Sequence, residues 1–210
     1  MKNKINWFCL SGIIALIFYL LHDIIGAMNY PNYDWLSQAV SDLTATDSKS
    51  YIIANGLTSI YGIFSCLCCT MVYISMKEEN KKFKIGIFIY MIMSYISAIG
   101  YSLFPLTGSG YDGTIQSFIH VYIITTIVVL SSIISLILIW IGAKKEHKTI
   151  SYIAIFSLLF MFLGSIGSTI VPKEYFGLVE RFSTYSAVVF TAMLGLYGFN
   201  KNTTNCKSCH

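Results

Sequence analysis

A small set of polar side chains interrupts long apolar stretches of the sequence, and these are the residues whose types could do chemistry. His22 and Asp23 lie about one turn before the end of the first apolar stretch, and His120 lies at a similar depth in the fourth. Ionisable groups inside a bilayer are costly, so each is a candidate functional residue. The candidates for a ligand pocket are His22, Asp23, Asp42, Asn55, Tyr101, His120, Glu180 and Arg181.

Two interpretations of this set are open. In the first, His22, Asp23 and His120 converge on a polar pocket that opens to the outer side of a membrane. In the second, the same groups hold helices together, and Asp23 pairs with a histidine or with Arg181. Asp42 either caps a re-entrant or interfacial helix or is a solvated loop acid.

The motif content argues against several kinds of site. Two histidines and Asp23 could supply three metal ligands, but the sequence has no H-x-x-x-H or H-E-x-x-H spacing. It also has no G-x-S-x-G nucleophile elbow, no Walker loop and no dinucleotide fingerprint. We therefore predict no metal and no cofactor, and no residue is assigned a catalytic role.

The sequence ends in a C-x-x-C-H string formed by Cys206, Cys209 and His210, which matches the pattern of c-type haem attachment. Haem is attached outside the cytoplasm, whereas the topology derived below places this tail inside. We therefore predict an inert tail, with a metal or redox role as the alternative.

The composition indicates a membrane protein. Of the 210 residues, 55% are hydrophobic and 11% are charged, less than half the charge of a typical soluble domain, which excludes a water-soluble enzyme. The net charge of +4 does not indicate nucleic-acid binding, because the lysines cluster in short runs between the apolar stretches.

Six apolar runs are long enough to cross a bilayer: residues 7–27, 51–76, 85–104, 115–142, 150–170 and 182–199. They are continuous rather than alternating, which excludes a β-barrel. We predict an all-α bundle of six transmembrane helices in one domain (1–200), followed by a short tail (201–210). Glycines in the runs predict close helix contacts, at Gly56, Gly62, Gly86, Gly100, Gly164, Gly167 and Gly195.

The distribution of basic residues predicts the orientation. One side would hold Lys2, Lys4, Lys77, Lys81, Lys82, Lys84, Lys144, Lys145, Lys148, Lys201 and Lys207, and the other only Lys49, Lys173 and Arg181. Basic residues in short loops favour the cytoplasm, so both termini are predicted to be cytoplasmic. The expected location is the cell membrane, as a multi-pass protein.

Several segments together carry a family resemblance. They are 30–34 (Y-P-N-Y-D), 41–43 (S-D-L), 55–56 (N-G), 100–105 (G-Y-S-L-F-P) and 177–181 (G-L-V-E-R), with His120 early in the fourth run. In order and spacing this set resembles the prokaryotic family called domain of unknown function 998, which consists of six-helix membrane proteins. That family is loosely similar to the eukaryotic Frag1/DRAM/Sfk1 proteins. The resemblance implies the fold and topology but no reaction, and it marks Ser41, Asp42, Asn55, Phe104, Pro105, His120, Glu180 and Arg181 as family-pattern positions.

Three functions follow as hypotheses. The first is a non-enzymatic bundle that binds a membrane lipid, another amphiphile or a partner membrane protein through a polar pocket at its outer-leaflet end. The second is an intramembrane lipid hydrolase that uses histidines and acids, and the third is a small-solute transporter. The expected partners are lipid, a partner membrane protein or a second copy of the chain, and not nucleic acid.

Overall fold

The computed structural model describes residues 7–76 and 79–207, with side chains through residue 201. Its six long helices are α1 (Ser11–Met28), α2 (Tyr51–Ser75), α3 (Lys81–Leu103), α4 (Ile115–Ala143), α5 (Lys148–Ile170) and α6 (Phe176–Lys207). All six regions are long and apolar enough to span a membrane. The predicted all-α, six-span architecture is therefore confirmed.

Five of the six predicted spans agree with the helices to within a few residues, and the sixth does not. The predicted run 182–199 starts after Glu180 and Arg181, whereas α6 begins at Phe176 and continues to Lys207. The helix includes both charged residues because Arg181 is neutralised by an acid of another helix. Residues 201–207, expected to form part of a tail, are the last turns of α6, and the side chains of Cys206, Cys209 and His210 lie outside the part of the chain described.

The helices form a closed ring in chain order, because α1 packs against both α2 and α6. Helix α6 also contacts α2 across the ring. We call the end of the bundle with the connections 29–50, 104–114 and 171–175 the outer end, and the lysine-rich end the inner end. A large apolar cluster, which includes Tyr90, Ile139 and Phe190, fills the bundle towards the inner end.

The outer end carries most of the non-helical chain. The connection between α1 and α2 contains a short 3-10 helix, Val40–Thr44. Helix α4 starts with Thr114 as its N-cap, whose side chain accepts a hydrogen bond from the Ser117 amide, as N-cap residues do. Residues 119–124 of α4 are π-helical, and such segments are frequent at functional sites.

Glycines allow the closest helix approaches. A Cβ on Gly164 of α5 would lie 2.2 Å from the Ser183 amide nitrogen of α6, so only glycine fits there. Six of the seven glycines predicted at helix contacts have a neighbour within van der Waals range. The prediction for Gly56 was wrong, because nothing lies within 4 Å of a Cβ at that position.

Candidate functional site

An ion pair between α1 and α6 organises the outer end. Arg181 donates from Nε to Asp23 Oδ2 at 2.9 Å and from a terminal nitrogen to Asp23 Oδ1 at 2.8 Å. Both side chains are 2% exposed. Asp23 also accepts hydrogen bonds from the Trp35 indole (3.1 Å) and the Tyr185 hydroxyl (2.6 Å). Buried charges of opposite sign in this geometry neutralise each other. The pair agrees with the second interpretation of the sequence, in which Asp23 pairs with Arg181 and holds two helices together.

Arg181 also fastens the loop between α1 and α2 to the bundle. Its guanidinium donates to the backbone carbonyls of Trp35, Gln38 and Gly177 and to the Tyr33 hydroxyl. With the two bonds to Asp23, six acceptors face the five N–H groups of a guanidinium. No donor of Arg181 is therefore left for a ligand, and its positive charge is fully used inside the protein.

Aromatic rings complete what we call the Arg181 cluster, formed by Asp23, Tyr33, Trp35, Arg181 and Tyr185. The guanidinium carbon lies 4.3 Å from the centre of the Trp35 ring and 5.9 Å from that of Tyr33, within the range of cation–π contacts. Burial raises the pKa of Tyr33. The roles of Tyr33, Trp35 and Tyr185 were missed in the sequence, although Tyr185 lies one helical turn from Arg181 on the same face of α6.

His22 is buried but does not join the ion pair. It is 2% exposed, and neither ring nitrogen has a hydrogen-bond partner among the described residues. Its ring meets the edge of the Tyr19 ring, with 5.6 Å between centroids. The Tyr19 ring in turn lies 5.7 Å from that of Tyr185, which donates to Asp23. The convergence of His22 and Asp23 on one pocket stays a prediction.

His120 forms a separate site with α3. Its Nδ1 donates to the Phe104 carbonyl at 2.6 Å, and its ring lies 4.7 Å from that of Tyr101. The Tyr101 hydroxyl bonds to the Thr125 hydroxyl, which in turn donates to the His120 carbonyl. Because a carbonyl only accepts, the bond places the proton on Nδ1 and leaves Nε2 as an acceptor in the neutral ring. His120 is therefore a positioned imidazole, held by Phe104 and Tyr101.

Asp42 and Glu180 meet at the 3-10 helix of the long outer loop. Asp42 is 1% exposed and accepts a 2.6 Å hydrogen bond from Ser109 at Oδ2, while Oδ1 has no partner among the described residues. Glu180 accepts from the Val40 amide at 3.4 Å. Burial raises the pKa of Asp42. Both expectations for Asp42 were wrong: the carboxylate is buried rather than solvated, and Ala39, not Asp42, is the N-cap.

Asn55 lies in the first turns of α2, and its side chain is half-buried. Its backbone carbonyl accepts hydrogen bonds from Thr58 and Ser59 one turn later. These contacts are internal to α2, and they do not connect Asn55 with the Arg181 cluster.

An apolar groove of about 450 Å³ runs beside the Arg181 cluster. Trp35 lies at its outer end, and Phe156 and Phe160 of α5 face Val189 and Met193 of α6 along its length. Arg181 and Tyr185 also line it. Of the eight candidate residues, Arg181 lines the groove. The sequence could not indicate the rest of the groove, because most of the other lining residues are apolar residues of two membrane spans.

One family model matches the chain, over residues 13–197; its description is "Protein of unknown function (DUF998)". No curated protein and no solved structure matches the chain.

Proposed function

The chain belongs to the DUF998 family of proteins of unknown function, and from the geometry of this member we propose that it binds one hydrocarbon chain of a membrane lipid in the groove between α5 and α6. The observation that carries the proposal is the groove itself, whose volume of about 450 Å³ falls within the range of small-molecule sites. We further propose that the protein does so in the cell membrane, with the outer end in the outer leaflet, as the lysine distribution indicates.

The dimensions of the groove support a single chain rather than a bulky ligand. Its walls on α6 extend from Leu178 to Met193, which corresponds to about 22 Å along a helix. One leaflet of the hydrocarbon core is about 15 Å thick. A chain that enters at Trp35 can therefore lie along the groove for the full depth of its own leaflet.

The walls support an apolar occupant. Phe156, Phe160 and Phe182 are among the lining residues, whereas Arg181, the charged lining residue, is neutralised by Asp23. The groove thus offers dispersion contacts along its length and a rigid aromatic rim at its outer end.

The proposal is tested by filling the groove. Ser157 lines it and is 8% exposed, so Ser157→Phe places a ring where the hydrocarbon chain would lie. Ser59→Phe is the matched control, because Ser59 is an exposed residue of α2 outside the groove. Native mass spectrometry after detergent exchange should show about one retained lipid per chain in the parent protein and in Ser59→Phe, and a marked loss in Ser157→Phe.

Trp35 provides a second readout in the folded protein. In a Trp7→Phe, Trp140→Phe background, Trp35 is the remaining tryptophan. Lipids brominated on the acyl chain should quench its fluorescence saturably, and Ser157→Phe should reduce that quenching. Equal lipid retention and equal quenching in the two serine variants would contradict the proposal.

A further inference from the structure

Three side chains that could ligate a metal ion meet at the inner end, far from the groove's outer rim. They come from the loops that join α2 to α3 and α4 to α5. One ligand atom from each of Glu79, Glu146 and His147 lies within 4.8 Å of the other two. We propose that this triad binds a transition-metal dication with the ligand preferences of Zn²⁺.

The backbone holds the two loops together without a metal. A Cβ on Gly142, near the end of α4, would lie 2.3 Å from the Phe83 amide nitrogen, near the start of α3. The His147 amide donates to the Ala143 carbonyl, which fixes the histidine at the beginning of α5. Its ring lies 5.6 Å from the Phe83 ring. His147 therefore has a fixed position relative to the start of α3, and Glu79 lies two residues before that helix, next to its N-cap Asn80.

The ligand types and spacing suit zinc. One imidazole and two carboxylates are ligands that Zn²⁺ accepts, with a water completing a four-coordinate site. His147 Nε2 lies 2.7 Å from Glu79 Oε2. Two ligands about 2.0–2.1 Å from a tetrahedral zinc are about 3.3 Å apart, so these two atoms need to separate by about 0.6 Å.

Tyr197 of α6 packs beside the triad. Its hydroxyl oxygen is buried and has no hydrogen-bond partner among the described residues. Its ring lies 5.5 Å from the His147 ring, and it interacts electrostatically with Glu146. Buried hydroxyls normally have a partner, and a metal-bound water would supply one for Tyr197.

Lys201 of α6 is the cation that balances Glu79 in this structure. Its ammonium contacts the Glu79 carboxylate, and it lies 3.8 Å from the Met76 sulfur. A dication on the triad has to displace this ammonium from Glu79. Lys201 therefore lowers the affinity of the site, and replacing it with an uncharged residue should tighten binding.

The test uses the full chain in detergent with Cys206→Ser, Cys209→Ser and His210→Ala, so that the C-x-x-C-H string does not bind metal. Zn²⁺ is titrated by calorimetry, and Co²⁺ is followed by its visible absorption. We expect one ion per chain. Glu79→Gln and His147→Ala should each weaken binding at least about 10-fold, and Lys201→Met should strengthen it. Glu174→Gln, an exposed acid at the outer end, should leave the affinity unchanged.

Thermal unfolding with and without Zn²⁺ separates binding from misfolding. A folded variant that binds zinc gains thermal stability in proportion to occupancy, and the triad variants should lose this gain while keeping a cooperative transition. If Glu79→Gln does not fold, His147→Asn serves in its place. Absence of saturable binding, or equal affinities in His147→Ala and Glu174→Gln, would overturn the zinc site without affecting the lipid experiment.

Discussion

Asp23 and Arg181, which are 158 residues apart in the chain, form a two-pronged ion pair in which both side chains are almost completely buried. The pair links the first helix to the sixth and closes the ring of helices at its outer end. Since Arg181 also bonds to Trp35 and Gln38 in the long outer loop, one guanidinium fixes three parts of the chain.

The first prediction concerns the coupling of this pair. Asp23→Asn or Arg181→Met alone leaves a buried charge without its partner, which costs about 3–5 kcal/mol. The double variant removes both charges and should lose less than the sum of the two, by at least about 1 kcal/mol. Equilibrium unfolding in mixed SDS micelles measures the free energy of unfolding of the parent, the two single variants and the double variant, which together form a double-mutant cycle. The exposed Asp47 is the control, since Asp47→Asn combined with Arg181→Met should be additive.

The second prediction compares two glycines of spanning helices. Gly164→Ala introduces a Cβ only 2.2 Å from the Ser183 amide nitrogen and should push α5 away from α6, with a loss of roughly 1–3 kcal/mol, as for overpacking. Gly56→Ala meets no atom within 4 Å and should be neutral or stabilising, because alanine is the better helix former. Thermal scanning of both variants is the measurement, and equal losses would contradict the packing argument.

The sequence predicted the spans because each is a continuous apolar run. The predicted start of α6 was wrong because a charged residue can lie inside a spanning helix when an opposite charge neutralises it, and the sequence does not show which residues pair. The predicted run 182–199 leaves out Glu180 and Arg181, whereas the structure buries Arg181 against Asp23. The groove was not predictable, since most of its lining residues are apolar side chains of two helices, and a sequence does not show how two helices pack. The bond from His120 to Phe104 joins two family-pattern positions, but a backbone carbonyl leaves no mark in a sequence.

The third prediction tests that bond. His120→Leu leaves the Phe104 carbonyl at the end of α3 without its donor and should cost about 1 kcal/mol, which corresponds to a fall of about 2–4 °C in Tm for a chain of this size. His120→Asn places an amide donor near the position of Nδ1 and should recover part of the loss. Equal Tm values for the two variants would show that this hydrogen bond does not stabilise the protein.

The fourth prediction is the topology. Cys9, Cys66, Cys68 and Cys69 are buried, so replacing Cys206 and Cys209 by serine leaves a background expected to be unreactive. Asp47→Cys at the outer end and Lys145→Cys at the inner end are both exposed positions. An impermeant maleimide added to intact cells should label the first and not the second. The reverse pattern would invert the orientation and place the proposed zinc site outside the cytoplasm.

The last prediction is the pH dependence that Asp42 confers. Burial raises the pKa of Asp42 above its ordinary value of 3.8, so the folded state holds the proton more tightly than the unfolded state. The contribution of Asp42 to the free energy of unfolding is therefore fully present at a pH below the pKa of Asp42 in the unfolded state. It is lost as the pH rises through the pKa of Asp42 in the folded state. Asp42→Asn, which carries no charge at any pH, should match the parent protein more closely at pH 4 and become relatively more stable as the pH approaches 7. Asp34 is the control, because hydrogen bonds from Ser37 and Leu36 lower its pKa below 3.8. Its stability contribution is already present at pH 4 and is lost only at lower pH, so the difference in Tm between Asp34→Asn and the parent should stay nearly constant from pH 4 to pH 7. The measurement is the Tm of the parent and of both variants from pH 4 to pH 7. Parallel curves for the two variants would contradict a raised pKa of Asp42 in the folded protein.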